Sequence, residues 1–333
     1  MAFKKILLII SSVMILIGVL HFDTFILSAT TSYTQDFYTY TISNNEITIT
    51  ACDSNNTNII IPEKIDGYNV TNLADYAFAN CTSTKKITMP DSIINIGSYA
   101  FDNCSNLDSI IFSKNIKHVG YNAFQQCENL KNVYISDLTS WCEIDFASQH
   151  SNPALYANNL LINGELVREI SIPECITDIK KYTFDHWQRL EKVYLHENIK
   201  SMEYYAFNYC TSIQEVHISD LDAWCRINFE HGGNPLTYSG NLYLNGEAVT
   251  EVAVPEDVTE LRYTFLGCDT IKSIELHDNL TLIGSDAFSY CASLLSIDIP
   301  YSVKKIDHEA FVNCRSLTNL LRLFVNSWGK ELK

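Results

Sequence analysis

The hydrophobic positions of this chain recur at a fixed interval instead of clustering into separate globular blocks. Phe78, Phe101 and Phe124 follow one another at 23 residues, as do Phe184 and Phe207, and again Phe265, Phe288 and Phe311. Ala or Thr precedes each of them, and three residues later stands Cys or, in one copy, Trp187. The pattern is nearly intact from Leu280 to Pro300, where Ile283-Gly284, Ala287-Phe288, Cys291, Leu294, Ile297 and Ile299 fill its apolar slots. The closing Ile-x-Ile alternates with period two, as a half-buried strand does. Ten strand cores follow, at 59–61, 87–89, 110–112, 133–135, 170–172, 193–195, 216–218, 252–254, 274–276 and 297–299. Pro62, Pro90, Pro173, Pro255 and Pro300 stand just after five of them, where Pro closes a strand without removing a ladder donor. A repeat of this length is one supersecondary unit that buries its apolar face only against its neighbours. The pattern therefore predicts a repeat solenoid, mostly β with some helix: a β-strand ladder with short helical or irregular connections.

Two gaps between strand centres are long, 37 residues from Tyr134 to Ser171 and 36 from His217 to Ala253. Both hold one module: Ser136-Asp137-Leu138 with Trp141-Cys142, Phe146, Asn152-Pro153 and Tyr156, and Ser219-Asp220-Leu221 with Trp224-Cys225, Phe229, Asn234-Pro235 and Tyr238. A unit of 83 residues has been duplicated, since Ser136 and Ser219 are that far apart. In each module Ser-Asp reads as the cap of a short helix with Leu and Trp on one face, and that spacing makes Trp141 and Trp224 packing residues. Asn163-Gly164 and Asn245-Gly246 are two-residue hairpin signals, because both residue types tolerate positive φ, so each long turn is expected to project a hairpin. Tyr38 to Thr50, around Ser43-Asn44-Asn45-Glu46, reads as a hairpin shielding the first turn, whose bare end would expose apolar surface and strand edges. At the other end the pattern loses register, because Arg322 falls where an inward Ile is expected. The organisation read from the chain is an N-terminal signal at 1–29, a capping hairpin at 34–58 and a solenoid at 59–318. Its long turns lie at 136–169 and 219–251, and a degenerate cap or tail follows at 319–333.

Lys4 and Lys5 precede an uncharged apolar stretch from Ile6 to Leu20, the layout of a secretory signal, with Ala29 the best cleavage candidate and an uncleaved anchor the alternative. The chain is expected to be secreted or at the cell surface, touching a membrane only through that anchor. A formal charge of −16, from 39 acidic and 23 basic residues, repels phosphate backbones and speaks against nucleic acid as a partner. Seven of the 11 cysteines, Cys81, Cys104, Cys127, Cys210, Cys268, Cys291 and Cys314, share one slot of the repeat. That slot suits a small inward-packing side chain. Adjacent turns bring these residues within disulfide range, yet parallel stacked side chains suit the bond poorly, so the column is read as reduced.

No Cys-x-x-Cys, His-Glu-x-x-His, Gly-x-Ser-x-Gly or Walker-type glycine loop occurs, and no cofactor or metal is called for. Cys142 and Cys225 recur beside Trp with His150 and His231 nearby in sequence, but the His pair does not keep the Cys spacing and has no evident orienting carboxylate, so the chain is not read as an enzyme. The better candidate is the outward side of the ladder: Ile60, Thr88, Ile111, Tyr134, Ser171, Tyr194, His217, Ala253, Glu275 and Asp298. At about 4.8 Å per rung these residues form one surface roughly 43 Å long, aromatic in the middle and acidic at its C-terminal end. Tyr134, Tyr194, His217, Glu275 and Asp298 are its candidate binding residues. Aromatic side chains concentrate interface energy, although Tyr is also simply favoured on strands. Five Asn-x-Ser/Thr sequons, at Asn55, Asn69, Asn80, Asn103 and Asn279, matter only in a eukaryotic secretory pathway.

The Ile-Gly-x-x-Ala-Phe-x-x-Cys-x-x-Leu core, with the Ile-Pro-x-x-Ile-x-Gly-Tyr-x-Val entry at Ile61 to Val70, resembles the BspA-like leucine-rich repeat family over residues 34–318. Departures are local: Ala74, Lys180, Glu203, Arg262 and Asp307 replace the Gly, and one residue is missing before Phe265. The resemblance implies a solenoid of leucine-rich-repeat type. It also implies an exported protein that binds host extracellular-matrix, cell-surface or neighbouring-cell proteins, though a fold does not fix a function. The alternative is a structural, self-assembling surface component with no separate ligand.

Overall fold

The computed structural model describes residues 31–322 apart from Ser54, Asn158 and Ser239, with side chains as far as Thr318. The expected signal at 1–29 lies outside the described residues, as does the expected tail beyond its first four residues. Each repeat makes one turn. A ladder strand leads through a corner to a shorter strand ending in the Ile-Gly slot, then to an edge carrying Ala-Phe, and back through Cys-x-x-Leu. The ladder strands Asn58–Ile60, Lys86–Thr88, Ser109–Ile111 and Asn132–Ile135 pair in parallel, with Ile59, Ile87, Ile110 and Val133 in register and buried. The Phe residues stack at the same interval: ring centroids lie 5.3 Å apart for Phe78–Phe101, 5.1 Å for Phe101–Phe124 and 4.8 Å for Phe184–Phe207.

At the Ala-Phe edge the backbone joins successive turns directly. The N–H groups of Tyr76, Phe78 and Asn80 donate to the carbonyls of Ser98, Ala100 and Asp102 at 3.0, 2.7 and 2.8 Å, and the next turns repeat the set. Two left-handed residues bracket each Phe, Tyr76 at φ 60° and Asn80 at φ 63° in the first copy, a conformation unusual for a bulky L-residue. The approach is close: a Cβ on Gly120 would lie 2.4 Å from the Ser98 nitrogen of the preceding turn. The Cys column belongs to the same edge. Cys104 and Cys127 thiols donate to the Phe78 and Phe101 carbonyls one turn back, both at 3.2 Å, and Cys210, Cys291 and Cys314 do likewise. All 11 cysteines are free thiols. Trp187 fills the Cys slot of its turn against Phe184, ring centroids 4.8 Å apart, and against Trp141 at 5.9 Å.

The structure departs from the expected single ladder in three ways. First, the hairpins do not merely project. Asn159–Ile162 and Asn241–Leu244 enter the ladder as extra parallel rungs, and only Glu165–Leu166 and Glu247–Ala248 turn back, through Asn-Gly pairs with positive φ at both residues. Second, each returning strand runs antiparallel along the ladder edge, so the next turn starts a new sheet. The ladder therefore divides into sheets of six, five and four strands, and among the described residues no single ladder of paired strands runs the expected length of roughly 43 Å. Third, Asn319–Arg322 continues the last sheet in register, Arg322 opposite Ile299, despite the loss of the apolar pattern. At the other end Tyr38–Ser43 and Glu46–Cys52 form the antiparallel hairpin over the first turn, joined by a further strand, Ser32–Gln35.

Where a long module replaces an Ala-Phe edge, side chains take over as donors. The helices Leu138–Cys142 and Leu221–Arg226 are capped by Asp137 and Asp220, which accept from Ser140 N at 2.8 Å and Ala223 N at 2.7 Å. They bury Trp141 and Trp224, each 1% exposed, whose indole N–H groups donate to Thr183 O at 2.8 Å and Thr264 O at 3.1 Å. Asn152 and Asn234 donate to Tyr182 O and Tyr263 O, both at 2.7 Å, while accepting from Ala154 N and Leu236 N in their own modules.

Two outcomes follow from these contacts. Native protein is expected to show one fast thiol toward Ellman's reagent, the exposed Cys175, and all 11 after denaturation; a lower denatured count would reveal a disulfide. Asn234→Ala is expected to lower stability by about 1–3 kcal/mol in urea unfolding, because it strands a carbonyl between turns. Asn234→Asp is expected to cost at least as much, since a carboxylate cannot donate; a neutral Asp variant would refute the bridging role.

Candidate functional site

The outward face of the middle sheet brings two of the sequence candidates together. Its parallel strands Glu169–Ser171, Lys192–Leu195, Glu215–Ile218 and Asn241–Leu244 place Ile170, Val193, Val216 and Leu242 inward and buried. Alternation then turns two columns outward: Ser171, Tyr194, His217 and Tyr243 in one, Glu169, Lys192, Glu215 and Asn241 in the other. Tyr194 stacks on His217 at 4.6 Å and 16° between ring planes, and His217 on Tyr243 at 4.9 Å and 18°. The His217 ring nitrogen Nε2 lies 2.9 Å from Glu215 Oε2, and Lys192 Nζ lies 3.0 Å from the same oxygen. These contacts hold the Glu215 carboxyl below its ordinary range, the hydrogen bond from His217 first and that from Lys192 next.

The other candidates stand apart. Tyr134 belongs to the first sheet, half-buried between Ile111 and Leu161, and has no aromatic neighbour on either adjoining rung. Glu275 and Asp298 lie exposed on the last sheet, opposite Ala253 and Leu321. Tyr243 and Leu161 were missed because the extra rungs were read as projecting hairpins. The signal was present: Leu242 and Leu244 alternate with Tyr243 as Val216 and Ile218 alternate with His217. The Tyr residues of the Ala-Phe edge were also missed, although Tyr76, Tyr99, Tyr182, Tyr205 and Tyr263 all stand two residues before the repeat Phe.

The imagined nucleophiles have the wrong surroundings. Cys142 and Cys225 are buried, and burial pushes both thiols up to about 12, the reverse of an activated thiolate. His150 Nδ1 is engaged with the Tyr156 hydroxyl at 2.7 Å. Among the described residues no group of three or more His, Cys, Asp or Glu is placed to hold a metal ion, and no helix is long and apolar enough to cross a membrane.

A one-turn repeat, a parallel outward ladder and a buried Phe–Cys edge define a β-solenoid of leucine-rich-repeat type. The chain belongs to the BspA-type leucine-rich repeat family: the family model "BspA type Leucine rich repeat region" matches six copies over residues 45–152, 157–229 and 237–323. Its fold is similar to a leucine rich cell surface protein of Faecalibacterium prausnitzii A2-165, with TM-score 0.50 and 20% identity over 87% of this chain and 88% of that one. A leucine-rich repeat protein of Bacteroides ovatus aligns with TM-score 0.48 and 23% identity over 86% of this chain and 81% of that one. No curated protein matches the chain.

The depressed Glu215 carboxyl contributes stability that is present above the ordinary Glu value of about 4.3 and is lost as pH falls through its lower folded value. In carboxyl-carbon NMR titrations His217→Ala is expected to move the Glu215 midpoint upward, and Lys192→Ala to move it by a smaller amount. An unmoved midpoint in both variants would show that the pairs do not hold the carboxylate.

Proposed function

We propose that this chain is a secreted or cell-surface protein that binds other proteins, in adhesion to host extracellular-matrix, cell-surface or neighbouring-cell proteins, through the outward face of its strand ladder. The observation that carries this reading is the Tyr194–His217–Tyr243 stack, three rings one rung apart on rigid strands. Aromatic chains already held in place lose little rotamer freedom on binding, and Tyr is enriched among the few residues that carry most of an interface's energy. Lys192 and Glu215 beside the stack add polar contacts of both signs, and Glu275 and Asp298 make the C-terminal sheet acidic. Export is supported by Lys4 and Lys5 ahead of the apolar stretch Ile6 to Leu20, and the surface is also the location given in the name of the Faecalibacterium protein.

The test is saturable binding of the chain to purified extracellular-matrix proteins, beside a Tyr194→Ala/His217→Ala/Tyr243→Ala variant of unchanged circular dichroism. The variant is expected to bind at least about tenfold more weakly, as loss of a hot-spot cluster does. Equal affinities would remove the site from the ladder. Concentration-dependent filaments in light scattering, with no saturable binding, would favour the structural alternative instead.

A further inference from the structure

A second aromatic surface lies on the Ala-Phe edge, away from the ladder. Tyr205 takes the left-handed position before Phe207, at φ 59°, and the 41%-exposed Tyr204 stacks on it with ring centroids 3.9 Å apart. The second long module brings the exposed His231 against both rings, at 6.1 and 5.5 Å. The following unit adds Tyr263, 5.8 Å from His231. Two carboxylates border the rings. Glu230, itself exposed, accepts the Tyr204 N–H at 2.8 Å, and the half-buried Asp286, whose carboxyl burial pushes up, follows Ser285, whose carbonyl accepts the Tyr263 N–H at 3.0 Å.

Neither carboxylate has a Lys or Arg partner among the described residues. The adjacent cation, Arg262, is already held by Glu260 at 3.3 Å and Asp307 at 3.7 Å. The patch thus combines electron-rich ring faces with uncompensated negative charge, in a chain whose formal charge is −16. Ring quadrupoles and carboxylates attract the same group, an ammonium or guanidinium, and each attraction strengthens as the other excludes water. The rings extend over two turn-to-turn steps, about 10 Å, which accommodates two cationic side chains of one extended segment.

We propose that the Tyr204–Tyr205–His231–Tyr263 patch, with Glu230 and Asp286, docks a Lys- or Arg-bearing extended segment of a partner protein. It is a second interaction surface, independent of the strand ladder, and it recognises positive charge through aromatic faces.

The test is fluorescence anisotropy of the full chain with a labelled ten-residue peptide alternating Arg with Ser or Gly. Tyr204→Ala/Tyr263→Ala and, separately, Glu230→Gln/Asp286→Asn are expected to weaken binding at least about tenfold, while Tyr204→Phe/Tyr263→Phe stays within about twofold because the rings remain. The control is Glu63→Gln/Glu165→Gln, at two exposed carboxylates outside both proposed faces, which removes the same net charge elsewhere and is expected to leave binding nearly unchanged. An equal loss in that control would reduce the effect to overall charge and overturn the proposal. So would equal binding of a peptide with Gln in place of Arg, equally tight binding of spermidine, or no binding of the Arg peptide at millimolar concentration. Loss of binding in the ladder stack variant alone would bear on the adhesion reading and not on this one.

Discussion

The structure depends on one requirement: each turn must hand its edge N–H groups to carbonyls of the next turn. At the Ala-Phe edge three donors per turn point the same way, from Tyr76, Phe78 and Asn80 to Ser98, Ala100 and Asp102. Buried backbone groups left unpaired are costly, so the requirement cannot lapse within the stack. It fixes the spacing within the edge and leaves length changes to the corners: the turn before Phe265 is one residue short, yet Tyr263, Phe265 and Gly267 still donate to Ser285, Ala287 and Ser289. It also accounts for the bracketing left-handed residues and for Gly120, where a side chain would collide with the preceding turn. The Cys slot follows from the same geometry: a thiol there is small enough for the interior and still reaches the Phe carbonyl behind it, which Ala could not do.

The two long modules satisfy the same requirement by other means. Lacking an Ala-Phe edge, they present Asn152 and Trp141, or Asn234 and Trp224, to the carbonyls of the next unit. An amide suits the task because its NH2 donates across the junction while its oxygen accepts from the module's own backbone. The antiparallel strand ending each hairpin closes one sheet, and the following turn opens another. The chain is thus three short parallel stacks whose junctions rest on packing, side-chain hydrogen bonds and, at the second, one isolated backbone bridge between Gly240 and Cys268, in place of a continuous ladder.

The period, the ladder strands, the inward Phe and Cys columns and the helices capped by Asp137 and Asp220 were legible because each depends on spacing alone. The extra rungs were not, since Asn159–Ile162 and Asn241–Leu244 lie off the repeat interval and their Asn-Gly turns advertise a hairpin without saying which neighbour its first strand joins. The last strand was misjudged for the opposite reason. Asn319–Arg322 lacks the apolar alternation, yet backbone pairing with Ser296–Ile299 needs no particular side chain. The functions of Asn152 and Trp141 were invisible in sequence, because they answer a deficit of donors that appears only once the turns are stacked.

This division into stacks also decides which outward residues act together. Within one sheet the rungs are locked by parallel pairing, so Tyr194, His217 and Tyr243 keep their stacking without help from a partner. Tyr134 lies across a junction, behind the returning strand Glu165–Leu166, and belongs to a different surface of Ile111 and Leu161. The module that interrupts the ladder therefore also completes the aromatic face, since Tyr243 exists only because the long turn contributes a rung. The same module supplies His231 to the Ala-Phe edge. Duplication of the 83-residue unit has not produced two equal faces: Leu161 stands where Tyr243 does, and His150 does not align with His231. Tyr243 and His231 thus come from the second module, while the first keeps the scaffold without them.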